Sequence, residues 1–339
     1  MHNPDYTPPT TNISGLANTN HNSTPAAAPT IRVHFSALQL PSEERKLGEL
    51  IRERTQRKEF FYGIELTARS FGGEPVILDY SSFGAVLPLF TSLVWLGQDY
   101  AQVARVADVE SVRFAKQLQP QTIVLPHYSC YRSDRDRLAQ FLSLNISNVL
   151  ALRGDLVHEE QEFKHASELV AEIRRIRGDT ISIGVAGYPE GHPDAKSLDE
   201  DMDFLLKKVN AGADFIITQI CFNSKSLIEF IKKCRSNGIT VPIMIGVYVP
   251  DNMRVLRRMS KITQVNIPAN DLANYEAKAR NATAFHEYAE SQALHLINKV
   301  FESNLNVYGV QFFTMNKFKS VQRVLHEILS NKNLNNKVE

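Results

Sequence analysis

An α/β fold, a (β/α)8 barrel of the TIM type with a preceding N-terminal helix and a disordered N-terminal tail, is predicted by three observations. Short β-rich apolar runs recur eight times along the chain, most of them followed by an amphipathic helical segment. The runs are mostly continuous and not alternating, as in parallel strands covered on both faces. The 339 residues, 43% of them hydrophobic, suffice for one large domain. A doubly wound open sheet is the alternative, but no GxGxxG follows the first strand and no GxxxxGK[ST] occurs.

The elements follow in order. Residues 1–30 are rich in Asn, Thr, Pro and Ala with almost no large apolar residues, so a disordered polar tail is expected over 1–40. A single barrel domain is expected over 41–335. It opens with a charged helix at 42–58 whose sparse apolar stripe is Leu47, Leu50 and Ile51. The expected strands are "FFYGIEL" (60–66), "LFTSLVWL" (89–96), "TIVLPHY" (122–128), "NVLALRGD" (148–155), "ISIGVAGY" (181–188), "DFIITQI" (214–220), "VPIMIGVYV" (241–249) and "VYGVQFF" (307–313). Between them, "SLDEDMDFLLKKVNAGA" opens on a capping box, Ser197 with Glu200, and has Gly212 near its end. "SKSLIEFIKKCRSNG" stops at Gly238, a C′ glycine. "DVESVRFAKQLQP" and "DRDRLAQFLSLN" are amphipathic, 268–304 is long enough for two helices, and "KSVQRVLHEILSNK" closes the chain.

Composition excludes several classes. With 38 basic and 37 acidic residues, neither nucleic acid nor an anionic membrane surface is indicated as the main partner. The longest apolar stretch, 84–97, is too short to span a bilayer. Cys130, Cys221 and Cys234 show no CxxC spacing, so reduced thiols and a cytoplasmic location are expected. The N-terminus lacks the basic and apolar regions of a secretory signal and has no arginine before Arg32.

In such a barrel the active site lies at the C-terminal strand ends. There the sequence places Glu65, His127, the turn Arg153-Gly154-Asp155, Tyr188 with His192, Gln219, Tyr248, and then Thr314, Asn316 and Lys317. Each alone has an ordinary structural explanation: a paired interior carboxylate, a satisfied core histidine, a packed tyrosine, a polar turn. Together they describe a pocket with acids, a histidine, amides and aromatics. Glu65, His127 and Asp155 form a nominal metal triad, yet no HxH or HExxH spacing supports it, and no metal is expected. Lys207 and Lys208, on the helix after the fifth strand, fit either a solvated face or contact with an anionic cofactor such as a diphosphate.

Four segments, "LALRGD", "GVAGYPEGHPDA", "KKVNAGADFIITQICF" and "QFFTMNK", resemble those of the methylenetetrahydrofolate reductases. The resemblance runs through roughly 42–330 and is densest at 148–222; "ERKLGELIRERTQRKEFF" is similar to the basic helix before the barrel in eukaryotic members. It implies non-covalent FAD, reduced by NADPH (or NADH) in ping-pong fashion, and reduction of 5,10-methylenetetrahydrofolate to 5-methyltetrahydrofolate. By the same resemblance Glu65 is the general acid that helps open the methylene bridge, and Asp155 lies near the flavin and the pterin. His127, Leu152, Arg153, Gly154, Asp155, Ala186, Tyr188, His192, Asp201, Lys207, Lys208 and Ile217 match flavin-contacting positions, and Gln219, Tyr248, Phe313 and Lys317 fall on the substrate side. The expected partners are folate and nicotinamide nucleotide, in a homo-oligomer.

Departures gather on the substrate side: "ELTARS" (65–70) keeps only the Glu of the family's first-strand motif. Val94 stands where a hydroxyl is expected, Phe313 replaces Tyr, and Lys317 replaces Arg. The chain ends just past the barrel, so the C-terminal regulatory domain of typical eukaryotic relatives, and feedback through it, are expected to be absent. The alternatives are another FAD-dependent barrel oxidoreductase acting on a different imine or amine, and a flavin-binding protein of low activity.

Overall fold

The computed structural model describes residues 31–38, 45–68, 76–95, 103–159 and 161–330. Of the polar tail expected over 1–40, residues 1–30, 39 and 40 lie outside them, as do Arg69 and Ser70. Ten strands are described. Eight close into a parallel barrel in the order β10-β2-β4-β5-β6-β7-β8-β9. They are β2 (Phe61–Leu66), β4 (Phe90–Leu93), β5 (Val124–Ser129), β6 (Asn148–Leu152), β7 (Ser182–Gly187), β8 (Phe215–Ile220), β9 (Ile243–Tyr248) and β10 (Gly309–Phe313). Each falls within or across one of the eight expected apolar runs.

The remaining pair, β1 (Arg32–His34) and β3 (Ile77–Asp79), forms a separate parallel two-stranded sheet. It corrects the N-terminal boundary, because ordered chain begins inside the expected tail: Ile31 is buried and the Arg32 N–H donates to the Val76 carbonyl at 2.9 Å. Three-residue strands are too short for any apolar period to reveal.

The helices are α1 (Leu47–Gln56), α2 (Glu110–Leu118), α3 (Arg135–Leu142), α4 (Ala166–Arg177), α5 (Leu198–Asn210), α6 (Ser224–Ser236), α7 (Met253–Thr263), α8 (Ala269–Lys278), α9 (Ala282–Glu302) and α10 (Lys319–Ser330). The sequence signals act as expected. Ser197 Oγ accepts from the Glu200 N–H at 3.1 Å, while the Glu200 carboxylate reaches back to the Lys196 N–H. Gly238 takes a left-handed φ of 80° beyond α6. The long segment 268–304 is indeed two helices, α8 and α9.

The barrel's inside and outside are separate cores. Outward side chains such as Ile183, Ile216 and Ile245 pack under the helices, whereas Phe61, Phe90, Leu125, Leu150, Phe215 and Met244 fill the lumen. Leu47 and Ile51 of α1 join the luminal set, so α1 plugs the N-terminal mouth. Two orphan first-turn donors of α1 are satisfied by barrel side chains: Leu47 N–H by Asn148 Oδ1 at 2.6 Å and Gly48 N–H by Ser182 Oγ at 3.0 Å. Burying two such aliphatic side chains contributes about 1.5–3 kcal/mol each.

At the opposite mouth, the β8–β9 pairing is irregular between Ile217 and Ile220. The irregularity brings the Thr218 carbonyl close to Gly246, whose N–H donates to Thr218 Oγ1 at 2.8 Å. A Cβ on Gly246 would stand 2.3 Å from that carbonyl and 2.7 Å from the Phe313 ring. Gly246→Ala is therefore expected to destabilise the fold by about 3 kcal/mol, read as a lower urea midpoint. An unchanged midpoint would show that the two strands separate freely here.

Candidate active site

Because all eight barrel strands are parallel, their polar C-terminal residues come to one rim. They form two adjoining regions.

The first is a cavity of about 200 Å³ beside the ends of β6 and β7. Of the residues predicted from the sequence, Leu152, Arg153, Ala186, Tyr188, His192, Asp201 and Lys208 line it. Gly154 turns the chain after β6 with φ 88°, and a Cβ there would approach Ser129 Cβ to 3.3 Å, so glycine suits the turn on both counts. Arg153 pairs with Asp194 across the loop after β7, which holds the Asp194 carboxyl below its usual range. His192 Nδ1 accepts the Asp194 N–H at 3.1 Å, leaving Nε2 as the ring's outward nitrogen. The His192 ring meets Tyr188 edge-on at 4.6 Å.

Lys208 is the buried cation of this cavity, 9% exposed. Its Nζ donates to the Ala186 carbonyl at 2.5 Å and lies 5.6 Å from the centre of the Tyr188 ring. Burial pulls its pKa down to about 8, against the opposing pull of Asp201. Burial raises Asp201 in turn, with Lys208 working against that. Each group loses more hydration than its partner restores. Lys207, its neighbour in sequence, is exposed and lies over the Phe204 ring at 5.3 Å.

The second region is the barrel mouth. Glu65 is half-buried there, and loss of solvent pushes its carboxyl up to about 8. His127 is buried at the end of β5; burial takes its pKa down to about 3, so its ring is neutral. Its Nε2 has no hydrogen-bond partner among the described residues, and neither has the buried Nε of Arg153. Gln219 Oε1 accepts the Ile220 N–H at 2.8 Å. Tyr248 is buried among Ile220, Met259 and Val265, with Phe313 packed against that cluster.

Besides Lys207, three predicted residues stand apart. Ile217 lies a layer down in the lumen, Asp155 is exposed on the rim, and Lys317 is exposed beyond β10. Among the described residues no group of three or more His, Cys, Asp or Glu is placed to hold a metal ion. No described helix is long and apolar enough to cross a membrane.

The structure also adds residues that the sequence reading missed. His165, Ala166 and Ser167, at the start of α4, line the cavity together with Asp194 and Phe204. Glu168 accepts from the Lys164 N–H at 2.7 Å and the His165 N–H at 3.4 Å. A glutamate three residues after a helix start was the available signal, and a helix N-terminus facing a cavity favours an anion.

A closed parallel barrel with a polar C-terminal rim defines the class: a (β/α)8-barrel protein. Within that class the chain belongs to the methylenetetrahydrofolate reductase family, whose model matches residues 50–329. It is 29% identical over 299 residues to a probable methylenetetrahydrofolate reductase (NADPH) of Caenorhabditis elegans, covering 83% of this chain and 44% of that one. It is 32% identical over 265 residues to methylenetetrahydrofolate reductase 2 of Schizosaccharomyces pombe, covering 71% and 40%. The chain thus spans less than half the length of these relatives. A Clostridium thermocellum protein, described as binding two copies of 5-methyl-5,6,7,8-tetrahydrofolic acid, shares the fold. Its TM-score is 0.56 at 12% identity, with 82% of this chain and 98% of that one covered.

Proposed function

We propose that this chain reduces 5,10-methylenetetrahydrofolate to 5-methyltetrahydrofolate, with FAD as cofactor and NADPH or NADH as donor. The observation that carries the reading is a carboxyl on β2 at the barrel mouth, Glu65, whose pKa is raised to about 8 by loss of solvent, in a chain of this family.

The residues present fit a flavin dinucleotide. Lys208 is a buried cation with incomplete compensation, and the first turn of α4 faces the same cavity. Both suit a diphosphate. Gly154 lets backbone approach a planar ring, and the unpartnered His127 Nε2 and Arg153 Nε are polar atoms that a ligand would satisfy. When bound, the flavin supplies reversible hydride chemistry.

The chain's own residues then have separable tasks. Glu65 donates a proton to a bridging nitrogen of the folate, so that the methylene bridge opens to an electrophilic iminium. Gln219 accepts the Ile220 N–H on Oε1, which fixes its side chain and leaves Nε2 and a second lone pair of Oε1 for a pterin. Asp155, exposed on the rim, would hold a carboxylate on the ligand side of the barrel and so would disfavour negative charge on a reduced cofactor bound near it.

The test is a visible spectrum followed by anaerobic half-reactions. Flavin bands should bleach with NADPH and return with methylenetetrahydrofolate. The return should slow as pH rises through about 8, where Glu65 loses its proton. Flavin that bleaches but does not return with the folate would assign the barrel to another acceptor. A return rate flat from pH 6 to 9 would remove Glu65 as the acid.

A further inference from the structure

The registered pairing of β2 with β10 runs from Phe61 opposite Gly309 to Ile64 opposite Phe312. Glu65 lies just past it: its other edge is still paired with Ser92 of β4, but on the β10 side the strand end opens unless other groups replace the ladder. Side chains replace it here. Thr314 Oγ1 donates to the Glu65 carbonyl at 2.5 Å. Asn316 Oδ1 accepts the Thr67 N–H at 3.0 Å, and its Nδ2 donates to the Thr67 carbonyl at 2.8 Å. The side-chain amide thus pairs with Thr67 as a strand residue would. The Asn316 N–H closes the set on Thr314 Oγ1 at 3.0 Å. Thr67, Thr314 and Asn316 are all buried.

The turn that delivers this amide is unfavourable by itself. Met315 and Asn316 are consecutive left-handed residues, with φ 47° and 58°. Neither is glycine, so the conformation persists because the surrounding bonds hold it. Such a turn, bonded to the backbone of a carboxyl residue at the barrel mouth, is more than the closing of a seam requires.

We infer that Asn316, acting with Thr314, is the positioning residue for Glu65: the two hold the backbone at and beyond Glu65, and so keep its carboxyl within the barrel mouth. The inference rests on Glu65 being the proton donor of the proposed reaction.

Asn316→Gly is the informative variant, because glycine accepts the left-handed turn while the amide pairing is lost. Thr314→Val, which removes the hydroxyl at nearly constant shape, is the second. The direct readout is an infrared titration of the Glu65 carboxyl, its band assigned by its loss in Glu65→Gln. Both variants should take up flavin. Asn316→Gly should slow the folate half-reaction by about 100-fold, with the rate falling more than KM changes. It should also lower the Glu65 midpoint from about 8 by at least a unit. Thr314→Val should move both quantities the same way by less. A wild-type midpoint with an undiminished half-reaction in both variants overturns the inference. So does loss of flavin in parallel with activity, which marks a purely structural role. If wild-type protein does not react with the folate, the proposed function fails, and the titration alone still decides whether Asn316 positions Glu65.

Discussion

A Glu65→Gln variant is expected to bind flavin and take electrons from NADPH, yet to reduce methylenetetrahydrofolate about 10²–10⁴-fold more slowly. The amide preserves the shape and has no proton to give. The effect should be this large because loss of solvent raises the Glu65 carboxyl to about 8, which favours the proton-carrying form at neutral pH. The loss should be confined to the folate step. Glu65 stands on β2, across the barrel mouth from the cavity beside β6 and β7 that carries the flavin-fitting residues. Stopped-flow traces of the two half-reactions separate the cases. Equal slowing of both would mean that Gln disturbs the cofactor, and the assignment of Glu65 as acid would fall.

Lys208→Met is expected to weaken flavin binding by about 10- to 100-fold, the worth of one charge-assisted hydrogen bond of about 1.5–3 kcal/mol. Methionine fills the channel occupied by the lysine stem and carries no charge. In the native cavity, Lys208 holds an ammonium that donates to the Ala186 carbonyl, at a site where burial already penalises charge. An anion arriving there recovers what the buried cation lost. The measurement is flavin content after purification, followed by FAD titration. Lys207→Met should cost less, because an exposed ammonium is already hydrated. If Lys208→Met holds flavin as tightly as wild type, the anionic group of the ligand lies elsewhere.

The barrel was legible in the sequence because its strands are buried on both faces. In "DFIITQI" the run Phe215-Ile216-Ile217 is apolar without a break because one side packs into the lumen and the other under helices, and β8 lies within that segment. The helix caps were legible for a local reason, since capping bonds join residues three or four apart. What stayed hidden is long-range. The Asn316–Thr67 pairing joins residues 249 apart, and no period announces it. The side sheet of β1 and β3 is too short to show one. Lys207 and Lys208 looked equivalent, yet adjacent helix positions point about 100° apart. Met202, Leu205 and Lys208 follow one another at threes and are all buried, so the phase of the apolar stripe already singled out Lys208.

The plug at the barrel's lower mouth also orders events in time. Leu47 and Gly48 are tied to Asn148 and Ser182, partners 101 and 134 residues further on. The first helix of the barrel therefore has nowhere to dock until β6 and β7 stand side by side. Early in the chain's synthesis its apolar stripe is a sticky, unclaimed surface, and the half-built sheet is an open tube. Seating the plug is a late step that seals the lumen from below. From then on the lumen is closed at the end opposite the carboxyl of Glu65.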